Sequence, residues 1–253
     1  MPTAADYDDG FGVMAGSHWM RTVFPATLDP DLPAEVEPFS FVPLAGLAEL
    51  AGALAAGPGA TVVDLACGRG GPGMWVARAT GAALVGVDWS AVGVAHATAR
   101  VDAFGLTGRA RFTVGDLAAT GLPDGCADAA MCVDAFQFAP DPVAAAREAY
   151  RIVRAGGRFA LTCWEARERG DPAVPDRFRD LDLAGALSTA GFTAVDVRER
   201  PDWETRLTAV FAAALAAPED PDDKGLAILR EEAAASKPWR DRVRRVLVAA
   251  AHP

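Results

Sequence analysis

Asp64-Leu-Ala-Cys-Gly-Arg-Gly70 follows a compact apolar run, Thr61-Val-Val-Asp-Leu-Ala66, and leads into a helical stretch that opens at Pro72. A strand that empties into glycines and then a helix makes a ligand-binding turn. Gly68 and Gly70 let the backbone reverse sharply and come close to a bound group. The helix behind them aims its unpaired N–H groups and positive dipole end at that group. Pro72 suits the first turn, where its missing N–H is not needed.

The same alternation continues outward. Ala83-Leu-Val-Gly-Val-Asp88, Ala110–Asp116, Ala129-Ala-Met-Cys-Val-Asp134 and Arg158–Trp164 read as further strands. Between them lie helices: one capped by Ser90 and ended by Gly105, and one opened by Asp141-Pro142 that runs to about Arg154. Continuously apolar strands joined by helices of ten or more residues predict a doubly wound α/β sheet of parallel strands, covered on both faces. Further on come a helix at about 179–190, a strand over Thr193–Arg198, helical character over 202–240, and a closing strand at Val246–Ala251. The acidic proline stretch Pro218–Asp223 reads as a solvated loop. Leu44–Ala56 reads as a helix. Upstream of it, residues 1 to about 45 carry Phe11, Trp19, Phe24, Phe39 and Phe41 among prolines 25, 30, 33, 38 and 43, a pattern of short helices and loops.

The chain has 253 residues, a net charge of −10 and 51% hydrophobic residues, which suits one large α/β unit and argues against nucleic acid as the main partner. The basic cluster Arg240–Arg245 alternates with apolar residues and reads as the edge of a strand or helix. Cys67, Cys126, Cys132 and Cys163 form no Cys-x-x-Cys pair and read as reduced thiols, with no metal expected. The acidic start shows no secretory signal, and Ala209–Ala217 is too short to span a bilayer. These features predict a cytoplasmic protein with no membrane partner, a monomer or homodimer.

The turn fits two ligands. Gly68-Arg-Gly-Gly-Pro-Gly73 matches G-x-G-x-x-G, and Asp88 stands where a dinucleotide's ribose acid is expected, so an NAD(P)-dependent oxidoreductase is the alternative. The motifs that follow separate the two. Asp64-x-Ala-Cys-Gly-x-Gly, Gly86-Val-Asp-Trp-Ser90, Gly115-Asp-Leu117, Met131-Cys-Val-Asp-Ala-Phe136 and Arg151-Ile-Val-Arg-Ala-Gly-Gly-Arg-Phe159 together resemble the five ordered motifs of class I S-adenosylmethionine-dependent methyltransferases, over about residues 45–200.

The resemblance implies a Rossmann-like, mostly parallel seven-stranded sheet with an antiparallel last strand and a helical cap. It implies one unit, with a lid at 1–45, a cofactor-binding core at 46–200, a cap insertion at 201–240 and the last strand at 241–253. It implies S-adenosylmethionine as cofactor, S-adenosylhomocysteine as product, and a small-molecule acceptor. Its cofactor site maps onto Asp64, Ala66, Cys67, Gly68, Gly70, Asp88, Trp89, Asp116, Leu117, Val133 and Asp134. There Asp88 takes the ribose diol, Trp89 lies against adenine and Asp116 accepts from the adenine amino group. Asp64 either orients the glycine loop or meets the ligand's ammonium. A ligand with a diol, an amino edge and a cation suits these carboxylates, whereas a second acid after the third strand has no task for a pyrophosphate.

Methyl transfer asks mainly for alignment and exclusion of water. Bases are few: His18, beside Trp19, and Gln137, where several relatives carry a histidine, are the catalytic candidates. Trp19, Phe24, Phe136, Trp164 and Trp203 are expected to line an apolar acceptor pocket, with Phe178, Phe211 and Trp239 available to join them. The reading is methyl transfer to an O, N or C nucleophile of a small apolar or aromatic metabolite, as in natural-product biosynthesis. A S-adenosylmethionine-binding protein that does not methylate is the remaining alternative.

Overall fold

A computed structural model of the chain describes residues 3–37 and 40–253. Pro38 and Phe39 of the expected lid, with Met1 and Pro2, lie outside the described residues.

The chain opens with α1 (Ala4–Gly16) and α2 (His18–Leu28). Thr3 and Asp6 close a reciprocal capping box on α1, and Ser17 caps α2 through the Met20 N–H at 3.0 Å. After α3 (Leu44–Leu54) the α/β alternation begins: β1 (Thr61–Leu65), α4 (Gly71–Thr80), β2 (Ala83–Asp88), α5 (Ala91–Ala99), β3 (Ala110–Val114), β4 (Ala127–Val133), α6 (Pro142–Ile152) and β5 (Val153–Ala166). Then come α7 (Asp176–Arg179), α8 (Leu183–Ala190), β6 (Thr193–Glu199), α9 (Pro201–Ala216), α10 (Lys224–Ser236) and β7 (Val243–Ala251).

The seven strands form one sheet in the order β3-β2-β1-β4-β5-β7-β6. The first five pair in parallel, and β7 runs antiparallel between β5 and β6. This is the seven-stranded sheet with an antiparallel last strand that the motif resemblance implies. Two boundaries shift. The helix after Asp141 ends at Ile152, not Arg154, and β5 starts directly at Val153. A register shift between Ala127 and Ala129, beside Gly156 at φ +77°, lets β5 begin early. The helix expected at 179–190 is two pieces, α7 and α8.

Side-chain alternation along each strand separates two cores. Val63, Leu65, Ala130, Cys132 and Leu161 point to one face, under α6 and α8. Val62, Ala129, Met131, Ala160 and Leu247 point to the other, where the core continues into α2, α3, α9 and α10. On that face α1, α2, α9 and α10 pack against one another beyond the carboxyl ends of the strands. Asp223 ties this layer together: its carboxylate accepts from the Trp19 N–H at 2.9 Å and the Leu226 N–H at 3.0 Å, so one acid caps α10 and anchors α2. The loop 218–223, expected to be solvated, therefore ends in a buried residue. The chain crosses between β1 and β4, the switch point where doubly wound sheets open a crevice, and a cavity of about 450 Å³ lies there beneath the helical layer.

Candidate active site

Asp64, Asp88 and Asp116 come from the ends of β1, β2 and β3 and all line this one cavity. Asp64 is 2% exposed. Its Oδ1 is buried and accepts no hydrogen bond, while Oδ2 lies so close to α4 that a Cβ on Gly73 would stand 2.3 Å away. Burial, and after it the charge of Asp88, hold the Asp64 carboxyl well above the usual carboxylate range. A buried acid on the wall of a cavity, with an acceptor oxygen that has no partner among the described residues, fits a cationic group, and repels a diphosphate.

Asp88 accepts from the Gly68 N–H at 2.7 Å and from the Ser90 N–H at 2.9 Å. Burial raises its pKa and these two bonds pull it back down. Each carboxylate oxygen keeps a second lone pair for a ligand hydroxyl. Gly68 has φ +51°, and a side chain there would meet Phe11 at 3.1 Å, so glycine serves both the turn and the close packing of α1 above it. Asp116 is exposed toward the opening, and its Oδ1 accepts from the Ala118 N–H at 2.8 Å. Ala66, Cys67, Leu117, Val133 and Trp89 line the same end. Tyr7 of α1 closes over it, with its ring 5.6 Å from Trp89 and 6.0 Å from Phe138, and burial pushes its hydroxyl up to about 12.

Asp134 also lines the cavity, but its carboxylate is taken. Both oxygens accept from Arg245 at 2.6 Å, and they also accept from the Phe41 N–H at 3.1 Å and the Thr162 hydroxyl at 2.8 Å. Arg245 is fully buried, donates to the Phe41 carbonyl at 2.9 Å, and lies over the rings of Trp164 and Trp203. Residue 245 of the basic cluster is thus the inner half of a buried ion pair that fastens the segment at Phe41 to β4 and β7. Gln137 lines the cavity with both ends of its amide engaged. It donates to the Asp134 carbonyl at 2.6 Å and accepts from the Cys163 thiol at 3.0 Å. An amide so held takes no proton, which corrects its place among the catalytic candidates.

The structure places five other expected residues outside the cavity. His18 is exposed at the start of α2, with its ring 3.4 Å from the Thr22 hydroxyl. Trp19 packs edge-on to Phe24 in the core, because α2 turns Met20 and Phe24 toward the cavity instead. Phe136 faces the opposite side of the sheet, 6.2 Å from Phe159, since the short turn 136–138 sends Gln137 and Phe138 inward. Trp203 sits on Gly46 of α3 and under Arg245, one turn before the Leu207 and Phe211 that reach the cavity. Gly70, at φ +76°, backs onto Ala97 and Phe112, leaving Gly71 and Pro72 to line the wall. Trp164, Phe178, Phe211 and Trp239 are where an apolar pocket needs them.

Sequence reasoning missed Tyr7, Phe11, Arg177, Glu232 and Arg240, all of which line the cavity. One signal was readable: on α10 the buried positions Leu226, Leu229, Ala233 and Ser236 make a stripe, and Glu232 stands inside it, four residues after Ile228 and four before Ser236.

Residues 63–161 match the family described as a methyltransferase domain. This match falls on the stretch that carries the five ordered motifs and bears out their resemblance to class I S-adenosylmethionine-dependent methyltransferases. A sterol 24-C-methyltransferase of Aspergillus fumigatus is 28% identical over 163 residues, 57% of this chain and 43% of that protein. A 2-methyl-6-phytyl-1,4-hydroquinone methyltransferase of Synechocystis sp. is 35% identical over 121 residues, 48% of this chain and 36% of that protein. The matched stretches thus span less than half of these relatives' length. Among solved structures, the [4+2]-cyclase SpnF superposes with a TM-score of 0.67 at 24% identity, covering 82% of this chain and 79% of that one. Domains of this family use S-adenosylmethionine, which sets aside the dinucleotide reading of Gly68–Gly73. No helix among the described residues is long and apolar enough to cross a membrane, and no cluster of three or more His, Cys, Asp or Glu there could hold a metal ion.

Proposed function

We propose that the chain transfers the methyl group of S-adenosylmethionine to an O, N or C nucleophile of a small apolar or aromatic metabolite, of the kind made in natural-product biosynthesis. The observation that carries this reading is Asp64: a buried acid whose Oδ1 has no hydrogen-bond partner among the described residues, on the wall of a cavity that also holds Asp88 and Asp116. In this reading Asp64 receives the donor's ammonium, Asp88 its ribose diol, and Asp116 with Leu117 the adenine edge beside Trp89. Ala66, Cys67 and Gly68 give the main chain of the turn, and Val133 flanks the reacting end. S-adenosylmethionine supplies a methyl group already activated by the sulfonium charge. What remains for the protein is alignment along the sulfur–carbon axis and exclusion of water. Helices α1, α2, α9 and α10 act as the cover, with Met14, Met20, Phe24, Phe41, Trp164 and Phe211 forming the apolar wall.

The sterol and hydroquinone acceptors of the relatives are large and apolar, which agrees with that wall. SpnF, a cyclase on the same fold, favours the second reading, a donor-binding protein whose chemistry is not methylation. The test separates them. The protein is titrated calorimetrically with S-adenosylhomocysteine and then supplied with S-adenosylmethionine and a panel of apolar and phenolic acceptors. Binding together with acceptor-dependent release of S-adenosylhomocysteine is the expected result. Binding with no release across the panel favours the second reading, and no binding removes both.

A further inference from the structure

The part of the cavity lined by Phe178, Phe211 and Trp239 carries two charged side chains that make no hydrogen bond or ion pair among the described residues. Glu232 of α10 makes no hydrogen bond and no ion pair among the described residues. It is exposed and lines the cavity. Arg177 of α7 likewise makes no hydrogen bond or ion pair among the described residues; its Nε is buried without a partner there, and its guanidinium carbon lies over Phe178, 4.4 Å from the ring centre. Arg240 is occupied differently. It donates to Ser236 and to the Ala233 carbonyl, and lies 4.4 Å over Phe211. The charged and titratable groups that share the cavity with Glu232 and act on it electrostatically are Arg177 from α7, Arg240 from the turn before β7, and the Tyr7 phenol from α1.

A carboxylate and a guanidinium on the walls of one cavity, each unpaired among the described residues, offer a hydroxyl complementary partners: its hydrogen donates to the acid, and its oxygen accepts from the guanidinium. We propose that Glu232 and Arg177 form the acceptor site for an aromatic or conjugated hydroxyl, with Glu232 as its general base. This rests on the methyl-transfer reading above and names the acceptor class. The hydroxyl proton passes to Glu232, the oxygen's electron pair forms the new O–CH₃ bond, and the pair of the breaking S–CH₃ bond stays on sulfur. Where a ring carbon is the nucleophile, the same deprotonation pushes the pair through the ring to that carbon, which forms the C–CH₃ bond, and loss of that carbon's hydrogen to water as a proton then restores the aromatic ring. Desolvation raises the Glu232 carboxyl, against the pull of Arg177 and Arg240, which makes it a stronger base toward an acidic hydroxyl such as a phenol. The flat aromatic walls of Phe178, Trp239 and Phe211 suit a ring.

The test uses the full chain loaded with S-adenosylhomocysteine. Binding of 2-naphthol and 4-phenylphenol is compared with that of their methyl ethers by calorimetry, in wild type, Glu232→Gln, Arg177→Gln and the exposed-neighbour control Glu231→Gln. The phenols are expected to bind about tenfold tighter than the ethers, an advantage lost in Glu232→Gln and Arg177→Gln and kept in Glu231→Gln. Methyl transfer to the tighter phenol should lose its rise with pH in Glu232→Gln. Equal affinity of phenol and ether, no phenol binding, or discrimination that survives Glu232→Gln overturns the proposal. Affinity for S-adenosylhomocysteine itself is measured first: its absence in wild type defeats the methyl-transfer reading instead, and its retention in Glu232→Gln shows that the variant is folded.

Discussion

The two ends of the cavity are built differently. The donor end is made of strand tips: Asp64, Asp88 and Asp116 lie within 53 residues of sequence, each at a turn whose backbone geometry its own neighbours set. The acceptor end is made of side chains from α1, α2, α7, α9, α10 and the turn before β7, from Met14 to Arg240, brought together only by packing. Between the ends sits the Arg245–Asp134 pair, which fastens β7 and the segment at Phe41 to the tip of β4. One end is a local property of the chain and the other a global one, so changes at each should have different signatures.

The largest effect is expected at the junction. Arg245→Ala leaves the Asp134 carboxylate buried without its cation, which should cost about 3–5 kcal/mol of stability in denaturant unfolding and loosen both ends together. Wild-type stability in that variant would mean that the ends are not joined there. At the donor end, Asp88→Ala removes the acceptors for two ligand hydroxyls and for the Gly68 N–H. It should weaken S-adenosylhomocysteine binding about 100-fold by calorimetry. Phenol binding to the acceptor end serves as its control, and a loss of both ligands alike would erase the distinction between the ends.

Asp64→Asn sharpens the comparison through pH. With its carboxyl raised, the folded protein holds a proton that the unfolded chain, with a value near 3.8, has already released. Stability of the free protein therefore falls as pH rises from the ordinary carboxylate range through the raised value. A bound ammonium favours the ionised form, so donor affinity rises with pH across the same window and binding expels a proton. Asp64→Asn should raise the melting temperature of the free protein, flatten both slopes and weaken S-adenosylhomocysteine about tenfold. A variant that melts lower would show that the acid is a structural partner of the turn. Smaller again, Phe178→Leu removes the ring beneath Arg177. It should cost about 1 kcal/mol of stability and reduce phenol affinity while sparing the donor. Smallest of all, His18→Ala should change stability by less than about 0.5 kcal/mol and leave turnover unchanged. A large loss of turnover there would return the exposed histidine to the chemistry.

This contrast also explains what could be read early. The strands and the acids at 64, 88 and 116 were legible because a buried parallel strand is a continuous apolar run and its end is marked by a glycine or an acid within one or two residues. Aromatic residues were not. Trp19, Phe136 and Trp203 look like pocket residues, yet each lies in the core, while Met20 one residue on, Phe138 two residues on and Leu207 one helical turn on line the cavity. Asp134 and Gln137 were placed at the right tip of the sheet, but the partners that occupy them, Arg245 and Cys163, come from β7 and β5.

The sequence by itself determined the doubly wound sheet and the turn chemistry of the donor end, because hydrophobic period, glycine and helix caps act over a few residues. Only the tertiary structure decided which aromatics line the acceptor end, that residue 245 is an interior cation, and that Glu232 and Arg177 line one cavity without partners among the described residues. Those facts depend on how helices from opposite ends of the chain are rotated against each other, and a rotation of one residue, about 100°, exchanges cavity for core.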